Sequence, residues 1–245
     1  MIAVTIFWGL SFVATKIALE TFPTFTLVFI RFSVAAFFFL LLMLSRGFPK
    51  INGRVHAQIF ITALFEPGLY FIFETIGLQY TSAPKAALMI ATIPVAVLVF
   101  AFLFIGERTS GTSITGIGLS LVGISILVMG DPGFSWQFGG SFLGDLLIIG
   151  AVITAAMYMV SARKLGKKYN ARDITGLQMI YGALLYAPLF IWELPAVNWA
   201  AKSNRSIFAL SYLALFATCA AFLFCNYALT KLPVGKSSVF INGIP

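Results

Sequence analysis

Residues 60–94 read FITALFEPGLYFIFETIGLQYTSAPKAALMIATIP, and residues 211–245 read SYLALFATCAAFLFCNYALTKLPVGKSSVFINGIP. Laid together at an offset of 151 without a gap, Ala63-Leu64-Phe65 falls on Ala214-Leu215-Phe216. Phe71 and Phe73 fall on Phe222 and Phe224, Leu78 on Leu229, Lys85 on Lys236 and Pro94 on Pro245. Apolar helices match by chance, so the shared Lys and Pro carry most of the weight. Nearer the start the offset is about 147, which places Lys16 on Arg163 and Arg31 on Gln178. The chain is an internal repeat.

The repeated unit is made of membrane spans. Of 245 residues, 60% are hydrophobic and 10% charged, with a mean hydropathy of +0.99. Soluble domains run at roughly 45–50% apolar and about 25% charged, so this composition excludes a soluble enzyme, a disordered chain and a nucleic-acid module. Runs of about 20 apolar residues, the length that crosses a bilayer, lie near 2–19, 24–44, 57–78, 86–105, 112–130, 143–162, 174–192 and 206–226. A ninth starts near Val234 and runs to Pro245. Period-2 alternation is absent, which excludes a β-barrel. The Met1 segment lacks a basic n-region and a cleavage site and reads as a retained span.

Each unit holds five spans, an odd number, so two units in one chain sit in opposite orientations. That is the inverted-repeat architecture of secondary transporters, with the substrate site near the midplane between the halves. The expected fold is an all-α polytopic membrane protein of inverted five-helix repeats. Residues 1–130 form the first unit and 141–245 an incomplete second. Compared with the first unit, the second lacks about 35–40 residues, the rest of helix nine and all of helix ten.

The net charge of +8 reflects topology rather than a polyanion partner. With the N-terminus inside, the inner loops carry Arg46, Lys50, Arg54, Arg108, Arg163, Lys164, Lys167, Lys168, Arg172 and Lys231. The outer ones carry only Lys85, Lys202 and Arg205. The imbalance predicts a cytoplasmic N-terminus.

Several motifs resemble the drug/metabolite transporter superfamily, in its ten-helix EamA-type branch. They are Phe7-Trp8-Gly9-Leu10-Ser11-Phe12-Val13 with Lys16, then Arg31-Phe32, and Gly77-Leu78-Gln79-Tyr80-Thr81-Ser82-Ala83 leading to Ala86-Ala87-Leu88 and Pro94. Gly106-Glu107 follows, ahead of a fifth span with Gly116 and Gly123. The likeness covers essentially the whole chain and is stronger in the first half. It implies a proton- or gradient-linked exporter of small metabolites, amino acids or drugs in a bacterial inner membrane. Its partners would be a small-molecule substrate and the lipid bilayer, with no nucleic acid and no cofactor.

Charged groups at membrane depth are costly and face a cavity or a partner. Glu66, Tyr70 and Glu74, four residues apart, fall on one helical stripe, able to hold a cation or exchange protons. Their bland readings are an interfacial position for Glu66 and a pairing of Glu74 with Lys16 or Arg31. The offset places Ala217, Ala221 and Cys225 opposite the stripe, so an asymmetric site is expected. Lys16 reads as a pathway residue or as one snorkelling to the interface; Arg31 reads as a structural partner of a carboxylate or of carbonyls. Trp8 stands on a stripe with Ser11 and Thr15, as a pathway residue or part of an aromatic belt. Tyr158, Tyr181, Asn226 and Asn242 are polar groups at depth, for substrate contact or for packing. Pro67, Pro94, Pro188 and Pro245 can each kink a helix and free a carbonyl. Pro94 and Pro245 stand in corresponding places.

Other classes fare worse. Two Cys and one His give neither a disulfide framework nor a metal site, Cys219 and Cys225 read as inert, and His56 reads as interfacial. Neither H-E-x-x-H nor a Walker A sequence occurs, which argues against an intramembrane enzyme and a directly ATP-driven pump. A non-transporting assembly subunit is the alternative.

Overall fold

The structure, a computed structural model, describes residues 1–130, 142–197 and 203–244. Among these, nine helical segments follow one another, and no strand occurs. They are α1 (Ile2–Leu19), α2 (Thr24–Arg46), α3 (Gly53–Tyr80) and α4 (Ala83–Ile90 with Ile93–Ile105). Next come α5 (Gly111–Met129), α6 (Phe142–Gly166), α7 (Ala171–Glu193), α8 (Asn204–Lys231) and α9 (Val234–Ser238 running into Val239–Gly243). Seven are long and apolar enough to cross a membrane; α5 is apolar over the shorter stretch Gly111–Leu127.

The third helix of each unit begins and bends in the same way. Asn52 accepts from the backbone N–H of Val55 at the start of α3, and Ser203 accepts from that of Ser206 at the start of α8. These caps stand 151 residues apart, and each satisfies an otherwise orphaned donor. Both helices then lose regular geometry over corresponding stretches, Leu64–Leu69 and Leu213–Ala220. In α3 the cause is Pro67, which has no N–H to donate and pushes the residue before it out of the helical region. Glu66 accordingly sits at φ −146°, ψ 119°. In α8 the turn widens without a proline, and the Thr218 hydroxyl donates to the carbonyl of Leu213, five residues back, at 2.8 Å.

The other prolines behave differently. Pro94 opens the second piece of α4, after a break at Ala91 and Thr92. Pro188, expected to interrupt its span, lies inside the unbroken helix α7. Pro245 falls outside the described residues.

Helices α2 and α7 form the central pair. Thr26 meets Glu193, Phe29 stacks on Phe190 at 4.4 Å, Phe32 stacks on Tyr186, and Phe39 and Met43 pack over Gly176. The contact partners fall in sequence as the positions rise, so these repeat counterparts run antiparallel. At the offset of 147, the Phe29–Phe190 contact corresponds to Gly176 against Met43. The helices close to van der Waals distance: a Cβ at Gly176 would overlap the Met43 terminal methyl and stand 3.2 Å from Phe39 Cβ. Lipid offers a helix little hydrophobic drive, so close packing of this kind holds the pair.

Around this pair, the first helix of each unit packs on the third helix of the other. α1 runs antiparallel to α8, through Phe7 on Phe224, Trp8 on Ala217 and Thr21 on Ser206. α6 runs antiparallel to α3, through Gly144 on Tyr80, Ile148 on Gly77 and Gly150 on Phe73. The remaining space is a cleft between α1 and α3.

Candidate functional site

The cleft holds a cavity of about 530 Å³. One wall is α1, through Trp8, Ser11, Thr15 and Lys16; the facing wall is α3, through Glu66, Tyr70, Glu74 and Thr75. α2 supplies Val28 and Arg31, while Tyr158 of α6 and Phe222 and Cys225 of α8 also line it. Leu19, Thr24, Leu78 and Gln79 set the rim at the end where α1 turns into α2.

Spacing brings these side chains together. On α3, Tyr70 and Glu74 are one turn apart, and the phenol donates to the Glu74 carboxylate at 2.9 Å. Glu66 is not on a regular stripe with them, because the chain is extended there. Its carboxylate still lines the cavity, carried by the bend rather than by helical periodicity. No ion pair within 4.0 Å joins Glu74 to Lys16 or Arg31 among the described residues.

Arg31 is only 5% exposed. Its Nε donates to the Thr218 hydroxyl at 3.2 Å, and its guanidinium lies 5.6 Å from the centre of the Phe71 ring. The expected partner was a carboxylate or a carbonyl; the observed ones are a hydroxyl and a ring face. The widened turn of α8 produces this, because it presents Thr218 toward α2. Trp8 uses the same turn, donating from Nε1 to the Ala217 carbonyl at 3.0 Å. The cavity therefore carries two carboxylates and two cations within mainly apolar and aromatic walls. Such a surface suits a small solute bearing both charge and apolar bulk.

A polar network closes the cavity at the opposite end. Tyr158 donates to Asn226 Oδ1 at 3.1 Å, and Asn226 Nδ2 donates to Thr175 and to Gln178 Oε1, each at 2.9 Å. Gln178 Nε2 donates to the Glu66 carbonyl at 2.7 Å. The carbonyl freed by the α3 bend is thus satisfied across the repeat interface. Beyond the network, Arg163 Nη1 donates to the carbonyls of Leu229 and Thr230 at 2.8 and 3.3 Å, and Nε pairs with Glu107 at 3.1 Å. Glu107 also accepts from the N–H of Val234 at 2.6 Å.

Of the residues expected from sequence, Glu74, Glu66, Tyr70, Trp8, Lys16 and Tyr158 line one cavity together with Arg31. Asn226 does not line it but lies in the network behind Tyr158. Asn242 is also off the lining; it is 7% exposed, and its side-chain amide has no hydrogen-bond partner among the described residues. Pro94 shapes α4 without reaching the cavity. Tyr181 faces His56 at 2.8 Å, away from the site. Sequence reasoning missed Gln178 and Thr218. The signal for Gln178 was its alignment with Arg31: each reaches from the central helix of one unit into the bend of the other. Among the described residues, no three His, Cys, Asp or Glu side chains could hold a metal ion together.

Comparison with known proteins agrees with this architecture. The profile of the EamA-like transporter family matches residues 1–129 and 142–245. The uncharacterized transporter YetK of Bacillus subtilis is 25% identical over 97% of this chain and 72% of its own length. An uncharacterized transporter of Archaeoglobus fulgidus is 25% identical over 100% of this chain and 85% of its own length. Protein PagO of Salmonella typhimurium is 27% identical over 93% of this chain and 74% of its own length. A solved crystal structure shares the fold with a TM-score of 0.79, at 18% identity, over 100% of this chain and 82% of that one. A family match over nearly all of the sequence, on an all-helical fold with seven membrane-length helices, settles the assignment: this chain belongs to the EamA-like transporter family.

Proposed function

We propose that the chain is a secondary transporter that moves a small metabolite, amino acid or drug outward through this cavity by alternating access. Glu74, with Tyr70 and Glu66 on the same path, takes up protons or a cationic group, and Arg31 and Lys16 face any anionic group. The observation that carries this reading is the convergence of Glu66, Glu74, Arg31 and Lys16 on one cavity of solute size between two repeat units. Residues 1–130 and 141–245 act as the two units. The Lys/Arg imbalance puts the N-terminus in the cytoplasm of a bacterial cell, so the cavity opens outward and the Arg163 end is cytoplasmic.

The test is flux in proteoliposomes, across a panel of amino acids and cationic dyes, with a pH-sensitive dye recording proton movement. Solute-dependent proton flux is expected for at least one member. Absence of flux across the panel would move the reading to a non-transporting membrane subunit.

A further inference from the structure

We infer that Arg163 and Lys16 are paired gate residues, and that Lys16 closes the open cleft by docking on the carbonyls of Leu78 and Gln79. The inference rests on the alternating-access reading above and goes beyond it by naming the contacts that exchange.

Arg163 closes one end by donating to Leu229 and Thr230, the residues two and one before the end of α8. Subtracting 147 from 163 gives Lys16, and subtracting 151 from 229 and 230 gives Leu78 and Gln79. Those two lie two and one residues before the end of α3 at Tyr80. All three line the open cavity, Lys16 on one wall and Leu78 and Gln79 on the other. The next closed contacts transform in the same way. Tyr158 on Asn226 becomes Ser11 facing Thr75, and Gly166 packed against Thr230 becomes Leu19 facing Gln79. The counterparts of these three closed pairs thus all line the open cavity.

The chemistry fits both ends. The last carbonyls of a helix lack intrahelical donors and carry the negative end of its dipole, so a cation docked there is favoured. Arg163 is held in place by Glu107. Lys16 has no ion pair among the described residues; the acidic groups near it are Glu20, one turn along α1, and Glu74 across the cleft. A lysine on the α1 wall, without an ion pair among the described residues, is available to dock when α1 and α3 approach.

The test uses Leu19→Cys with Gln79→Cys, in a protein whose Cys219 and Cys225 are replaced by Ala, oxidised in membrane vesicles. A disulfide needs Cα atoms within about 7 Å, so its rate of formation reports how often the cleft closes. Arg163→Gln should raise that rate about tenfold, the shift expected from losing a charge-assisted hydrogen bond. Lys16→Gln should lower it, and Arg163→Lys should leave it near the parent rate. If Arg163→Gln does not fold, Glu107→Gln, which removes only the partner charge, should give a smaller rise. Unchanged rates in every folded variant, or no disulfide while solute flux is normal, would overturn the gate assignment and leave the transport reading standing. Disulfide formation that responds to these variants in a protein without flux would keep the gate and remove the transport reading.

Discussion

Thr218→Val is the most informative single change at the repeat interface. The side chain is fully buried, and its hydroxyl has two duties: it accepts from Arg31 Nε and donates to the Leu213 carbonyl. Valine keeps the shape and removes both. A hydrogen bond to a charged group contributes about 1.5–3 kcal/mol, whereas a neutral one between membrane helices averages about 0.6 kcal/mol. The sum is about 2.1–3.6 kcal/mol. The cation–π contact with Phe71 survives the change, which favours the lower end. At about 2–4 °C per kcal/mol for a chain of this size, the loss is about 4–14 °C in detergent. Thr218→Ser keeps the hydroxyl and should fall within about 2 °C of the parent. A melting temperature for Thr218→Val equal to that of Thr218→Ser would refute the claim that this hydroxyl anchors Arg31 and the widened turn.

Four further outcomes follow from the same contacts. Asn226→Leu leaves Tyr158 and Gln178 short of partners and should cost about 2–4 kcal/mol, read as a lowered melting temperature. Gly144→Ala places a Cβ 2.7 Å from the Tyr80 carbonyl carbon, which is backbone and cannot rotate away; the overpacking should cost at least about 1–3 kcal/mol. Asp145→Asn weakens the 2.6 Å pair with Lys85, but both side chains are about a quarter exposed and the pair is screened by solvent, so the melting temperature should barely change. For topology, Glu20→Cys should react with an impermeant thiol reagent on intact cells and Lys167→Cys should not, in a protein lacking Cys219 and Cys225; the reverse pattern would invert the proposed orientation.

The parts of this fold legible in the sequence were those written as periodicity and as offset. Apolar runs located the helices, and the 151-residue offset paired residues 60–94 with 211–245; that the same offset relates the caps at Asn52 and Ser203 became visible only in the structure. Part of the cavity lining was legible because charge at membrane depth is expensive, which singled out Glu66 and Glu74; Arg31 stood out for the same reason but read as a structural partner rather than as lining. The bend in α8 was not legible: no proline marks it, and a threonine in an apolar helix reads as an ordinary small residue. Missing it meant missing the partners of Arg31 and Trp8. The Glu66–Tyr70–Glu74 stripe failed for a related reason. It assumed an unbroken helix through Pro67, where the chain has to extend. Asn226 and Gln178 look alike as buried amides, and only their placement across two helices separates a cavity contact from the network behind it.

The most direct test of the proposed site compares the parent protein with Glu74→Gln, each reconstituted into liposomes, with solute flux followed as a function of pH and melting temperature recorded in parallel. Glu74 has no ion pair within 4.0 Å among the described residues and accepts one hydrogen bond, from Tyr70, which a glutamine carbonyl can also accept. The account predicts a nearly unchanged melting temperature and a flux that no longer responds to pH. Flux that keeps the parent's pH dependence in Glu74→Gln would contradict it, whatever the melting temperature.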